Sequence, residues 1–308
     1  MPLPSPLTGV VPPVCTPLTP EREVDVPSLH RLVGHLLEAG VHGLFLLGST
    51  SEAAFLTDRQ RRQVVEAVVA HVGGQVPILA GAIDMTTPRV LDQVASVTAA
   101  GAEGVVVTAP FYARTHPAEI VHHYRRIAAT SAVPVIAYDI PVAVHTKLPA
   151  ELVLGLAGDG VLAGIKDSSG DLAAFRELVT GARSHPGFSV LTGSELIADA
   201  ALALGADGVV PGLGNVDPHG YVRLYRQCRA DDPQSARAEQ DRLCALFAIT
   251  AVADPSRMGA GSAALGAFKA ALHLRGVIDC PATAEPQLPL SGEETERIAK
   301  LLAAAGLL

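Results

Sequence analysis

Lys166 closes the apolar run Val161-Leu162-Ala163-Gly164-Ile165 and is followed by Asp167-Ser168-Ser169-Gly170-Asp171. An ammonium at the end of a buried strand is expensive to desolvate unless it is paired, hydrated or used in chemistry. A partly buried amine with a lowered pKa attacks a ketone to give an iminium, whose positive nitrogen stabilises a carbanion on the neighbouring carbon. A structural ion pair is the competing use of the same lysine. Asp167 and Asp171 are read as turn and helix-cap residues rather than as catalytic groups.

Three further segments offer groups that such a lysine would need. Gly48-Ser49-Thr50-Ser51-Glu52 follows Gly43-Leu44-Phe45-Leu46-Leu47, so hydroxyls and free backbone amides stand at a strand end. That composition suits a carboxylate cradle at a helix entrance, although helix capping alone produces the same residues. Tyr138, in Tyr138-Asp139-Ile140-Pro141, ends Val133-Pro134-Val135-Ile136-Ala137 and can relay a proton or bond its hydroxyl at a rim. Tyr112, in Ala109-Pro110-Phe111-Tyr112, is a second phenol after an apolar run. If Tyr112 and Thr50 bond toward Tyr138, the three hydroxyls carry protons between substrate and solvent; the alternative for Tyr112 is a rim or subunit contact.

Those positions are all ends of short apolar runs, and the runs alternate with amphipathic stretches of ten or more residues. Strands are expected at 10–14, 43–47, 76–80, 104–108, 133–138, 161–166, 189–192 and 208–211, with helices starting near Ser28, Asp58, Pro88, Pro117, Pro149, Leu172, Glu195 and Pro218. Eight βα units predict a closed α/β architecture, the (β/α)8 TIM barrel, whose active face is where strands run into helices. A doubly wound open sheet fits less well, because no GxGxxG follows the first strand. Beyond it, 234–250, 262–275 and 293–305 read as helices packed on the barrel or on another subunit. The expected division is a catalytic barrel over 1–230 and a C-terminal helical extension over 231–308.

Composition narrows the class of protein. Hydrophobic residues make up 49% and aromatics only 4%, so aliphatic side chains must fill the core. A net charge of -8 argues against a nucleic-acid or anionic-membrane surface. No uninterrupted apolar stretch is long enough to cross a bilayer, and the N-terminus lacks the pattern of an export signal. The widely spaced Cys15, Cys228, Cys244 and Cys280 suit a reducing cytoplasm rather than a disulfide framework or a thiolate metal site. His116, His122 and His123 lack the spacing of a metal pair, and Walker, kinase and nucleophile-elbow motifs are not found.

Together, GSTSE at 48–52, PFY at 110–112, YDIP at 138–141 and GIKDSSGD at 164–171 resemble the dihydrodipicolinate synthase and N-acetylneuraminate lyase superfamily, the pyruvate-dependent class I aldolases. The resemblance covers 9 to about 300. It implies Lys166 as the Schiff-base residue, Tyr138 as the proton-transfer residue, and Ser49 and Thr50 near the pyruvate carboxylate. It also implies a homodimer or homotetramer in which Tyr112 enters a neighbour's site. Lys166, Tyr138, Thr50 and Tyr112 are thus the expected catalytic set, and Gly48, Ser49, Thr50, Gly193 and Gly212 the expected substrate contacts. No cofactor or metal is called for, since the covalent imine on Lys166 is the electron sink.

Two departures from the family pattern bear on specificity. Ser51 stands where the family loop usually has glycine, which changes the backbone freedom before Glu52. Dihydrodipicolinate synthases normally carry an arginine two residues beyond YxxP, serving the second substrate's carboxylate; here Pro141 is followed by Val142 and Ala143. Arg114 and His145 are the nearby cations that would have to compensate. The expected reaction is reversible joining of pyruvate and an aldehyde, on a 2-keto-3-deoxy or 4-hydroxy-2-oxo acid. Dihydrodipicolinate synthase, a keto-deoxy sugar acid dehydratase and an inactive metabolite-binding barrel are the alternatives.

Overall fold

The computed structural model describes residues 3–308. Eight parallel strands form one sheet: β1 (Gly9–Val10), β2 (Leu44–Leu46), β3 (Ile78–Gly81), β4 (Gly104–Thr108), β5 (Val135–Asp139), β6 (Gly164–Asp167), β7 (Ser189–Thr192) and β8 (Gly208–Val209). Each pairs with its neighbour in sequence from β2 to β8, and β8 pairs with β1. The ring is completed just after β1, where Pro13 bridges Phe45, Phe45 N–H donates to Pro12 O (3.0 Å) and Val14 N–H donates to Phe45 O (2.9 Å). This is the TIM-barrel arrangement expected from the eight βα units.

Strand lengths differ from the apolar runs for identifiable reasons. The expected first strand, 10–14, contains Pro12 and Pro13, which have no N–H to give to a ladder, so only Gly9–Val10 is regular and the rest continues through single bonds. Pro211 shortens the eighth strand in the same way. The fifth begins later than expected because Pro134 has no N–H to give, and the sixth because Val161 and Leu162 N–H donate back to Leu156 O.

Between the strands run α1 (Val26–Glu38), α2 (Asp58–Val72), α3 (Thr87–Ala99), α4 (Pro117–Ala128), α5 (Pro141–Val144), α6 (Ala150–Gly158), α7 (Leu172–Ala182), α8 (Ala198–Leu204) and α9 (Pro218–Arg229). Proline in the first turn of α1, α3, α4 and α9 and side-chain caps from Asp25, Thr57, Asp171 and Asp217 set where these helices begin. The single turn α5, directly after β5, is absent from the sequence reading, and the helix expected from Glu195 starts as a 3-10 turn, Glu195–Ile197, before α8. One apolar core lies between strands and helices, and a second, built on Leu7, Val11, Phe45, Leu79, Val106, Ile136 and Leu191, fills the barrel itself.

After α9 come α10 (Pro233–Phe247), α11 (Ala260–Leu274) and α12 (Gly292–Ala304). Helix α10 packs on α9 and on the 3-10 turn after β7, while α11 packs on α12 and on the 3-10 turn Leu213–Asn215 after β8. The later helices therefore lie against loops at the strand-end face. Among the described residues no helix is long and apolar enough to cross a membrane.

Candidate active site

Parallel register brings the lysine and the phenol side by side. Tyr138 is the Cα partner of Lys166 across β5 and β6, and of Thr108 across β4 and β5, and both side chains project into the barrel. Lys166 Nζ donates to Tyr138 Oη at 3.2 Å and sits 4.2 Å from that ring's centroid and 4.9 Å from the Phe45 ring. Lys166 is 5% exposed and Tyr138 3%. Among the described residues no carboxylate forms an ion pair with Lys166, so the structural ion pair considered for it is not made. An amine buried against two aromatic faces and a phenol is instead positioned for attack on a carbonyl, with a proton acceptor in reach.

The loop after β2 supplies the third hydroxyl. Ser49 Oγ lies 3.5 Å from Tyr138 Oη, so the group facing the phenol is Ser49, whereas the sequence reading places Thr50 in that relay. The Thr50 hydroxyl is turned toward Gly212, where a β-carbon would lie 3.4 Å from Oγ1. Ser51 does not loosen the loop: its hydroxyl donates to Val14 O (2.5 Å) and its carbonyl accepts from Thr16 Oγ1 (2.8 Å). The positive φ is taken one residue later, by Glu52 at 60°.

Glycine is required at Gly193 by close approach. A β-carbon there would fall 2.0 Å from Ser168 Oγ and 2.9 Å from Lys166 Cε, so only hydrogen lets the strand pass behind the lysine stem. Gly212 is crowded in a similar way by the Phe268 ring of α11, at 2.9 Å. Two residues after Gly193, Glu195 accepts from Leu213 N–H at 2.6 Å. Burial raises its carboxyl to about 7, against the lowering effects of that hydrogen bond and of Lys166. Glu195 serves only as a helix start in the sequence reading; its place three residues beyond a strand end is the signal that marks it.

A second lysine ties the two catalytic strands together behind the site. Lys147 Nζ is ion-paired with Asp139 and lies 3.3 Å from Asp167 Oδ2, the residues that follow Tyr138 and Lys166. Burial raises the Asp139 carboxyl, and Lys147 works against that rise. Asp167 also accepts from Ser169 N–H and Oγ (2.8 and 2.6 Å), and Asp171 caps α7 by accepting from Ala174 N–H (3.0 Å). Asn215 joins the loops after β1 and β8, accepting from Cys15 N–H and donating to Pro13 O and Gly212 O.

Tyr112 stands apart from this group. It is 93% exposed, has φ 75°, and is not joined to Tyr138 by any hydrogen bond among the described residues. Of the histidines, His116 caps α4 and His123 is buried against Thr87 Oγ1 (2.9 Å), burial lowering its pKa to about 4. Among the described residues no group of three or more His, Cys, Asp or Glu is placed to hold a metal ion.

The chain matches the Dihydrodipicolinate synthetase family over residues 6–305. It belongs to that family. Among curated relatives it is 35% identical to an uncharacterised DapA-like lyase of Halobacterium salinarum, over 98% of this chain and 95% of that protein. It is 30% identical to the 4-hydroxy-tetrahydrodipicolinate synthase of Methanospirillum hungatei, over 78% of this chain and 82% of that one. Among solved structures it superimposes on YagE, a prophage protein of the dihydrodipicolinic acid synthase family from E. coli K12 in complex with pyruvate. That match has a TM-score of 0.91 and 28% identity and covers 98% of this chain and 99% of that one. The dihydrodipicolinate synthase of Bacteroides thetaiotaomicron matches with a TM-score of 0.91 and 29% identity, over 97% and 99% of the two chains.

Proposed function

We propose that this family member is a Schiff-base-forming, pyruvate-dependent class I lyase, with Lys166 as the imine-forming residue, that joins pyruvate and an aldehyde reversibly to a 4-hydroxy-2-oxo acid. The observation that carries the reading is the 3.2 Å contact between buried Lys166 Nζ and Tyr138 Oη at the strand-end face of the barrel. The pyruvate held by the similar YagE supports the choice of 2-oxo acid.

In this mechanism Lys166 attacks the pyruvate C2 carbonyl, and loss of water from the carbinolamine leaves the iminium. Ser49, Thr50 and the loop amides hold the carboxylate, with Gly48, Gly193 and Gly212 leaving space around it. Tyr138 moves protons to and from the departing oxygen, with Ser49 beside it. A proton leaves C3, the enamine carbon attacks the aldehyde carbon, and the aldehyde oxygen takes up a proton. Water then releases the product and frees the amine. The lysine imine accepts the electron pair throughout, so the scheme needs no separate cofactor.

The exposed Tyr112 is assigned to a second copy's site in a homodimer or homotetramer, a reading its exposure supports. The four free thiols support a reducing cytoplasm. The barrel, 1–230, carries the chemistry and the extension, 231–308, braces the loops after β2, β7 and β8.

A second reading, 4-hydroxy-tetrahydrodipicolinate synthase, is favoured by the names of several relatives. Ala143, in the place of the family's arginine, counts against it. Intact-mass analysis after pyruvate and borohydride tests the main reading: an adduct of about +72 Da on Lys166, absent from Lys166→Ala, is expected. No lysine adduct on folded protein sinks it. Product analysis then separates release of pyruvate plus aldehyde from loss of water, the outcome for a keto-deoxy sugar acid dehydratase.

A further inference from the structure

Beside the lysine site, and opening from the same loop, is a cavity of about 120 Å³. Gly48 and Ser49 of the cradle form one side, and Ala54, Ile83, Phe111, Ile140, Ala143 and Val144 form most of the rest. Lys166 and Tyr138 do not line it, so it lies where the part of a substrate beyond the reacting carbons would go.

The wall contains no ionised side chain. Its hydroxyls are Ser49, which faces Tyr138, and Thr108, which is 2% exposed and whose Oγ1 has no hydrogen-bond partner. The backbone explains why the space exists. Helix α5 begins at Pro141 immediately after β5 and turns Ala143 and Val144 to the cavity, and the methyl of Ala143 fills little of it. The two cations that could reach in from elsewhere do not: Arg114 and His145 are both exposed and neither lines the cavity.

A carboxylate placed against this wall would shed part of its hydration without gaining a cation, and the hydroxyls of a polyhydroxylated chain that face it would meet carbon rather than hydrogen-bond partners. An apolar group would displace water from carbon-lined surface at no such cost. The volume is slightly below the roughly 150 Å³ of an engineered apolar cavity that takes up benzene, so one ring or a short branched alkyl group is the fitting size.

We propose that the aldehyde half handled by this enzyme is uncharged and apolar, a small aryl or branched-alkyl aldehyde, and that Ala143 is the residue that sets this preference. The inference rests on the pyruvate–Lys166 reading and narrows it to one class of second substrate. The reaction balances as before: a bond forms between pyruvate C3 and the aldehyde carbon, and the C3 proton is made up by one delivered to the aldehyde oxygen.

The test supplies the intact chain with pyruvate and, separately, benzaldehyde, 2-methylpropanal, glyoxylate or glyceraldehyde, and follows 4-hydroxy-2-oxo acid formation alongside the borohydride adduct. The expected result is a Lys166 adduct together with kcat/KM for benzaldehyde or 2-methylpropanal about tenfold or more above that for the other two. In Ala143→Arg the apolar substrates lose at least that factor, and the ratio of glyoxylate to benzaldehyde turnover rises. An adduct accompanied by preference for glyoxylate or glyceraldehyde, or by no turnover of either apolar aldehyde, overturns the inference and leaves the lysine chemistry standing. Absence of the adduct overturns both.

Discussion

Lys269 of α11 and Glu52 at the end of the cradle loop form an ion pair in which the side chains are 1% and 0% exposed. Glu52 Oε1 accepts from Ala284 N–H (2.6 Å) and Gln287 Nε2 (3.0 Å), and Lys269 Nζ donates to Ala282 O (2.8 Å). The loop residue with positive φ is thus held by the helical extension, which links the late helices to the geometry of Ser49 and Thr50.

Removing one partner of a buried pair leaves an uncompensated charge, at a cost of about 3–5 kcal/mol. Glu52→Gln and Lys269→Met should each lose stability on that scale in urea denaturation. The double variant should lose much less than the sum, because no bare charge remains. Strict additivity of the two losses would show that the pair is not coupled.

Tyr138→Phe keeps the ring that meets Phe45 edge-on at 6.1 Å and deletes only the hydroxyl. Loss of proton transfer should lower kcat by about 10²–10⁴-fold, while the Lys166 adduct still forms on prolonged incubation. Ser49→Ala should fall by less, since Ser49 acts on the substrate beside the phenol. Steady-state rates read against adduct mass separate chemistry from binding; an unchanged kcat in Tyr138→Phe would remove the phenol from the mechanism.

Gly193→Ala places a methyl into Ser168 Oγ and the Lys166 stem. Overpacking of this kind costs about 1–3 kcal/mol, and here it displaces the nucleophile itself. Slower adduct formation with pyruvate is expected, partly restored in Gly193→Ala/Ser168→Ala, which removes the closest atom. Gly155→Ala, whose β-carbon meets nothing within 4 Å, is the matched control. Equal adduct rates in the two alanine variants would show that the lysine stem tolerates the contact.

Much of this site was legible because its residues break a local rule. Lys166 and Tyr138 end apolar strands where a charge or a phenol needs a reason, and the βα alternation put them at one face of a barrel. Whether Ser49 or Thr50 meets the phenol was not legible, because adjacent residues differ only in the direction the loop turns them. Nor was the Glu52–Lys269 pair: Glu52 is the last residue of the hydroxyl loop and Lys269 lies within the expected helix 262–275, and sequence periodicity carries no information on a contact made through the tertiary fold. Lys147 escaped for the same reason, as its two aspartate partners are brought together only by the β5–β6 register. The turn α5 is too short for a periodic signal, yet it sets the apolar wall beside the lysine.

Glu195 gives the site a pH signature whose sign is fixed. Its carboxyl is raised by burial from 4.5 to about 7, so the folded protein keeps a proton that the unfolded chain has already lost. Stability from this group is therefore present below about pH 4.5 and declines as pH rises to about 7, by up to about 3 kcal/mol. Glu195→Gln retains an acceptor for Leu213 N–H and removes the titration. Other groups change with pH in both proteins, among them His35 and His123, which burial lowers to about 4. The difference between parent and variant isolates Glu195. Denaturation midpoints should nearly coincide at pH 4.5, and the variant should become progressively the more stable up to pH 8. A difference that does not vary with pH would mean that Glu195 titrates in the folded protein as it does in the unfolded chain. Because Lys166 lowers the same carboxyl, Lys166→Met should extend the parent's decline to higher pH, and Glu195→Gln in that background should remove the part of the decline that belongs to Glu195.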